Sequence, residues 1–239
     1  MILSVAFPKA RENVLLAQLP RAEFQRLQAH LEPVSLQFRA PLCEPGETIR
    51  HVHFPRSGVV SMLATMADGQ GIELATVGCE GLVGLQAFLG AFIAPFRCLV
   101  QVPGEALRLD ARVLQAESQR AGPLHQVLCR YANAYLIQLA QAAACNGLHT
   151  VKQRCCRWLL MTHDRVRADA FPLTQDFLAQ MLGVRRASVA DVARMLQRDG
   201  LIQYHRGTLT ILDRAGLEKA SCECYRCVRR EFSRLFGDA

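Results

Sequence analysis

Residues 173–212 read LTQDFLAQMLGVRRASVADVARMLQRDGLIQYHRGTLTIL, and their punctuation decides the C-terminal fold. Thr174 is a suitable N-cap, and Asp176 favours the positive end of the helix that follows. Phe177, Leu178, Met181 and Leu182 give that helix an apolar face, and Gly183 stops it. A second helix is predicted from about Arg186 to Gln197, with Val189, Val192, Ala193 and Leu196 at helical spacing. Its opposite face shows Ala187, Asp191, Arg194 and Arg198. Gly200 ends it. Leu201–Tyr204 and Thr208–Leu212 then form two short strands around His205-Arg206-Gly207. Two short helices joined at a glycine, followed by a β-wing, make a winged helix-turn-helix. Such a second helix lies in the DNA major groove with its N-terminal residues at base edges. Arg185 and Arg186 stand there, and an arginine can donate two hydrogen bonds to guanine O6 and N7. The bland alternative is a surface helix pair with incidental arginines; the wing and the basic flanks argue against it.

Charge supports the same end of the chain. Residues 1–121 carry 11 Lys/Arg and 11 Asp/Glu, whereas residues 122–239 carry 17 and 10, which accounts for the whole net charge of +7. A neutral front half and a basic back half suit a polyanion partner at the back. Within 168–212 itself there are only 5 Lys/Arg against 4 Asp. Much of the positive charge therefore lies in the flanking helices, 149–167 and 214–234.

Upstream, the texture changes twice. Residues 12–31 show apolar residues at helical spacing, with Pro20 restarting a second short helix. From about Val34 to Leu109 come short apolar runs separated by turn signals, among them Pro45-Gly46, Ser57-Gly58, Asp68-Gly69 and Pro103-Gly104. Strands are predicted at His51–Phe54, Val59–Met66, Ile72–Val77, Cys98–Val102 and Ala106–Leu109, which argues for a compact β-sandwich or barrel-like roll. From about Pro123 the period becomes helical. Leu124, Leu128, Tyr131, Tyr135, Gln138, Ala142 and Cys145 recur at spacings of four and three, a heptad-like seam that Asn146-Gly147 closes. A further helix is predicted from His149 to about Val166. The heptad seam is expected to meet a second copy of the chain, through Leu124, Leu128, Tyr131, Tyr135, Gln138 and Ala142. The other reading is a helix packed on the β-roll, which produces a similar stripe.

This order of parts resembles the Crp/Fnr family of transcription regulators. The resemblance rests on HVHFPRSGVVSML (51–63), TVGCEGLVGL (76–85) and residues 173–202, and covers about residues 12–236. It implies an α+β protein. An N-terminal β-roll of cyclic-nucleotide-binding type (a jelly-roll-like double-stranded β-helix) would span 1–120. A long dimerisation helix would span 121–147, and a winged helix-turn-helix with a C-terminal helix would span 148–239. The partners implied are double-stranded DNA, a second copy of the chain, and RNA polymerase if the regulator activates. The residues expected at DNA are Thr174, Gln175, Arg185, Arg186, Ser188, Asp191, Arg194 and Arg206, with Arg194 matching a position that usually meets phosphate.

The chain departs from the family pattern in informative ways. Members that bind cyclic AMP have a Gly-Glu pair whose glutamate takes the ribose, and an Arg-Ser pair whose arginine takes the phosphate. Here Gly84 is followed by Leu85, and Arg97 by Cys98, two residues too far along. No cyclic AMP response is expected; Gly84, Leu85 and Arg97 are the candidate positions for an effector of unknown identity, and no cofactor is expected. Oxygen sensors of the family carry an N-terminal cysteine cluster, but here the first 42 residues hold no cysteine and Cys43 stands alone. In the recognition helix the family's Arg-Glu and following Arg become Arg186, Ala187 and Asp191, so a different operator is expected.

Other chemistry is weaker. Cys222, Cys224 and Cys227 fall within a final helix predicted over Asp213 to Leu235, where only 224 and 227 share a face and no nearby histidine completes a set. Inert packing is expected, with a redox thiol as the alternative and no metal site. His51 and His53 point to one side of a strand and suit packing or hydrogen bonding. The sequence has no nucleophile elbow, phosphate loop or H-E-x-x-H, so an enzyme is not expected. The opening residues lack a basic segment followed by an apolar core, and no apolar run reaches about 20 residues, so a cytoplasmic protein without a membrane span is expected. The competing function is a sensor module that acts through protein–protein contact and carries a vestigial DNA-binding unit.

Overall fold

The computed structural model describes residues 13–235. The opening stretch that reads as lacking a leader lies, up to residue 12, outside them. Two short helices begin the fold, α1 (Val14–Ala17) and α2 (Arg21–Gln28). Asn13 caps α1 by accepting hydrogen bonds from the Leu15 and Leu16 amides.

Two antiparallel sheets follow. The first orders β1 (Glu32–Leu36), β7 (Gly104–Asp110) and β3 (His51–Pro55) as β1-β7-β3. The second orders β2 (Pro41–Cys43), β6 (Arg97–Val102), β4 (Val59–Thr65) and β5 (Gly71–Val77) as β2-β6-β4-β5. Val52, Phe54, Val60, Val100 and Leu109 are fully buried and belong to one core. This is the β-roll, and all five strands expected from the sequence are present. β4 is buried at five consecutive residues, Val59 to Leu63. A strand covered on both faces reads as a continuous apolar run instead of an alternating one. Its second cover comes from the helices that follow. Ser61 donates to Gln101 Oε1 at 2.9 Å, and Gln101 donates to the Thr162 hydroxyl at 2.9 Å.

Between the strands lie α3 (Leu85–Phe88) and, after β7, α4 (Ala111–Ser118). The long helix α5 (Pro123–Leu148) runs through Gly147 before it ends, one turn past the predicted stop. α6 (Val151–Val166) starts at a capping box formed by Thr150 and Gln153. The final unit holds β8 (Ala170–Pro172), α7 (Gln175–Leu182), α8 (Arg186–Arg198), β9 (Ile202–His205), β10 (Thr208–Ile211), α9 (Arg214–Ala220) and α10 (Glu223–Leu235).

Two expectations are corrected here. The seam on α5 is covered by the chain's own β-roll and by α10. Leu124, Leu128, Tyr131, Tyr135, Gln138 and Ala142 are all buried. The Leu124 amide donates to Glu23 Oε1, the Tyr131 hydroxyl to Leu82 O at 3.3 Å and Gln138 Nε2 to Thr76 O at 3.1 Å. The Tyr131 ring faces Phe232 of α10 with centroids 6.4 Å apart. A heptad stripe shows that a helix has an apolar face; it does not show what covers that face. The second correction is at the C-terminus. The single helix expected over 213–235 is broken at Ser221-Cys222 into α9 and α10, so Cys222 lies outside a helix while Cys224 lies in the first turn of α10.

Candidate nucleic-acid interface

α7 and α8 are held by apolar residues on their inner faces. Phe177, Leu178, Met181 and Leu182 from α7 and Val189, Val192, Ala193 and Leu196 from α8 are buried. The helix stop at Gly183 is doubly determined. Its φ is +61°, and a Cβ there would come within 2.8 Å of the Ile72 side chain. Thr174 caps α7 by accepting from the Phe177 amide at 3.2 Å. Its hydroxyl is thus engaged, although the residue is exposed.

Arg185 is the N-cap of α8, makes no side-chain capping bond and is exposed. Arg185, Arg186, Asp191 and Arg194 are exposed, whereas Gln175 and Ser188 are half-buried. Arg186 Nε lies 3.3 Å from Asp176 Oδ1, and Arg194 pairs with Asp191 one turn back. Asp176 therefore has a second role beside the helix dipole, which sequence reasoning missed: it holds the arginine at the start of α8. Both pairs are exposed ion pairs worth at most about 1 kcal/mol. They orient the arginines and are weak enough to be exchanged for a phosphate or a base edge.

The wing supplies the third element. Thr208 pairs with His205 across a two-residue turn in which Arg206 and Gly207 have φ of +46° and +81°. That left-handed pair is the hairpin turn whose twist matches its strands. It presents exposed Arg206 at the tip. β8 pairs with β10 and adds a third strand that the sequence did not announce.

The β4–β5 hairpin of the roll reaches this unit. Gly69, Gln70 and Gly71 line a groove together with Gln180, Gly183, Arg185 and Ser188. The Phe38 and Phe177 rings meet at 45° with centroids 6.1 Å apart, and Arg39 lies over the Phe177 ring at 5.8 Å. The β-roll is thus in contact with α7 and with the turn that leads into α8.

The surroundings of Gly84 and Leu85 are closely packed. Gly84 has φ +89° and turns the chain into α3, and Leu85 is buried in the core. The cavity beside them, lined by Val60, Met62, Val83, Cys98 and Tyr135, measures about 10 Å³, room for one water. Arg97 Nε is 3.0 Å from Glu44 Oε1. Leu85 thus packs into the core, and Arg97 is engaged in an ion pair.

His51 and His53 part company. His51 is exposed, whereas His53 is buried and pushed down to about 4 by desolvation. The cysteines also differ from expectation. The premise that no histidine completes a set with Cys222 and Cys224 fails, because the end of α5 brings Cys145 and His149 to them. Cys227 is half-buried and stands outside that group. No spacing signal could have found it, because the two halves lie more than 70 residues apart.

Residues 33–120 match the family of cyclic nucleotide-binding domains, and residues 153–220 match the family of Crp-like helix-turn-helix domains. No curated protein matches the sequence. Among solved structures, FixK2 from Bradyrhizobium japonicum is similar with a TM-score of 0.69 and 14% identity, over 80% of this chain and 98% of that one. The c-di-GMP-responsive global regulator CLP of Xanthomonas campestris is similar with a TM-score of 0.67 and 19% identity, over 81% of this chain and 100% of that one. A transcriptional regulator of the CRP/FNR family from Thermus thermophilus gives 0.62 and 21%, over 80% and 98%. At such identities the likeness establishes the fold. Among the described residues no helix is long and apolar enough to cross a membrane.

Proposed function

From the premise that this chain belongs to the Crp/Fnr family of transcription regulators, we propose that it binds a specific inverted-repeat operator as a homodimer and does not respond to cyclic AMP. The observation that carries the reading is the uncovered face of α8, where Arg185, Arg186 and Arg194 stand exposed above a buried inner face. Arg186 reads a base edge, Arg194 meets phosphate, and the wing arginine Arg206 meets the neighbouring backbone. RNA polymerase is the further partner if the protein activates. Selection from random duplex DNA with the full chain tests the reading. The expected result is an enriched palindrome with half-sites ~34–36 Å apart. Recovery of unenriched sequence would sink it.

The dimer face is the other side of α5. Cys129, Asn133, Leu136, Ala140, Ala143 and Gly147 are exposed and recur at spacings of 4, 3, 4, 3 and 4. Leu136 is 63% exposed. This second seam, small and apolar with one asparagine, suits close helix pairing in which the asparagine sets the register.

The absence of a cyclic AMP response rests on Leu85 in the core and Arg97 held by Glu44. Calorimetry with cyclic AMP at tens of micromolar is expected to show no binding. A saturable isotherm would overturn this part alone.

A further inference from the structure

Three cysteines and a histidine that the DNA-binding reading leaves unused converge where α5 meets the α9–α10 break. Cys145 and His149 stand one turn apart at the C-terminal end of α5; Cys222 lies in the break and Cys224 just after it. Their four donor atoms all lie within 4.8 Å of one another. Cys145 Sγ is 3.5 Å from Cys222 Sγ, and Cys224 Sγ is 3.5 Å from His149 Nδ1. A tetrahedral zinc ion with Zn–S near 2.3 Å and Zn–N near 2.0 Å sets its ligands about 3.5–3.8 Å apart along the edges. Both measured separations match those edges.

The surroundings are also those of a ligand set. His149 Nε2 lies 3.3 Å from Glu223 Oε1, a contact that keeps the ring proton on Nε2 and turns the Nδ1 lone pair toward the sulfurs. Gln141 Nε2 donates to Cys224 Sγ at 3.1 Å, as an amide does to a metal-bound thiolate. All three sulfur ligands belong to buried residues and form a small cluster of their own, apart from the main core. A disulfide between Cys145 and Cys222 would use two of the four groups and leave the oriented histidine and Cys224 without a partner.

We propose that Cys145, His149, Cys222 and Cys224 bind one zinc ion, which staples the end of α5 to the C-terminal helices. Three thiolates and one imidazole in a closed tetrahedral set, with no position left open, are the ligands of a structural zinc centre. The staple joins the helix that carries the exposed seam to the unit that carries α8. It would therefore hold the angle between the proposed dimer face and the DNA-reading face.

The test is elemental analysis of the full chain, purified under reductant without chelator, together with cobalt(II) substitution. About one zinc per chain is expected, and cobalt should give the intense visible bands of a tetrahedral thiolate site. Cys224→Ser should lower bound zinc at least tenfold, while Cys227→Ser should leave it unchanged. Should Cys224→Ser fail to fold, the cobalt spectrum of the unaltered chain still decides. Protein that binds neither zinc nor cobalt, an octahedral cobalt spectrum, a Cys145–Cys222 disulfide found by mass spectrometry under reductant, or an iron–sulfur chromophore would each overturn the proposal.

Discussion

Arg165 Nε lies 2.7 Å from Glu80 Oε1, with the two side chains only 7% and 3% exposed. The guanidinium also donates to Met161 O at 2.8 Å and to Gln138 Oε1 at 3.3 Å. Glu80 follows β5 in the roll, Gln138 is on α5 and Arg165 is on α6, so one buried cation ties the roll to both long helices. Removing one partner of a buried pair strands the other charge away from water, at about 3–5 kcal/mol. Glu80→Ala is therefore expected to lower stability by that amount in urea unfolding. Glu80→Gln, which keeps an acceptor, should lose less. A Glu80→Ala chain within about 1 kcal/mol of the parent would mean that Arg165 reaches solvent by itself.

Glu73 on β5 gives a pH signature. Its Oε2 is buried without a hydrogen-bond partner, and desolvation pushes the carboxyl up to about 7, opposed by Ser61 and by the charges of Arg157 and Arg165. A carboxyl with a folded pKa above its unfolded value binds more protons when folded. Its contribution to stability is complete below 4.5 and is lost as pH rises through about 7. Glu73→Gln should match the parent near pH 4 and exceed it by about 1–3 kcal/mol at pH 8. His53 works the other way: its contribution is present above 6.5 and is lost as pH falls through about 4. It is common to both chains, so the difference between them isolates Glu73. Parallel stability curves from pH 4 to 8 would refute the assignment.

On DNA, Arg186 and Arg194 should separate by their profiles. Arg186→Ala is expected to cost about 1–3 kcal/mol on the preferred operator and to relax selection at one position per half-site. Arg194→Ala should weaken all sequences nearly equally and lower the salt slope by about one ion per half-site. Fluorescence anisotropy over mutated operators and several salt concentrations distinguishes the two. Identical profiles would remove the base-versus-phosphate distinction.

What the sequence made legible followed the range of the interaction. The winged helix-turn-helix rests on local punctuation: Thr174, Gly200 and Gly207 act within a few residues, as does Gly183 through its left-handed backbone. The strands β3 to β7 were legible for the same reason. β1 was not, because Pro33 sits inside it; the strand lies at a sheet edge, where proline is tolerated. The seam on α5 was legible as a stripe, but its cover was not, since β5, Leu82 and Phe232 are distant in sequence. The cysteine–histidine group was illegible for two reasons. It joins residues 145 and 222, and its geometry depends on a helix break marked only by Ser221 and by Glu223 in the following first turn.

The two faces of α5 make opposite predictions. Leu136 and Ala140 lie on the exposed seam, outside the buried core, so the double change to Glu should leave the inner packing intact. In a parallel pair it places four like charges against each other, while a free chain carries the same charges in water. Sedimentation is expected to show a folded monomer, with loss of operator binding, because a single winged helix reads too few base pairs. Tyr135→Glu on the inner face should instead unfold the chain, since it buries a carboxylate beside Met62. Cys129 adds a direct readout. It is the exposed cysteine among the described residues and lies on the seam. Parallel in-register helices would bring the two copies of Cys129 together. Mild oxidation should then give a covalent dimer that Cys129→Ser abolishes. A Leu136→Glu/Ala140→Glu chain that stayed dimeric with an unchanged footprint would place the interface elsewhere.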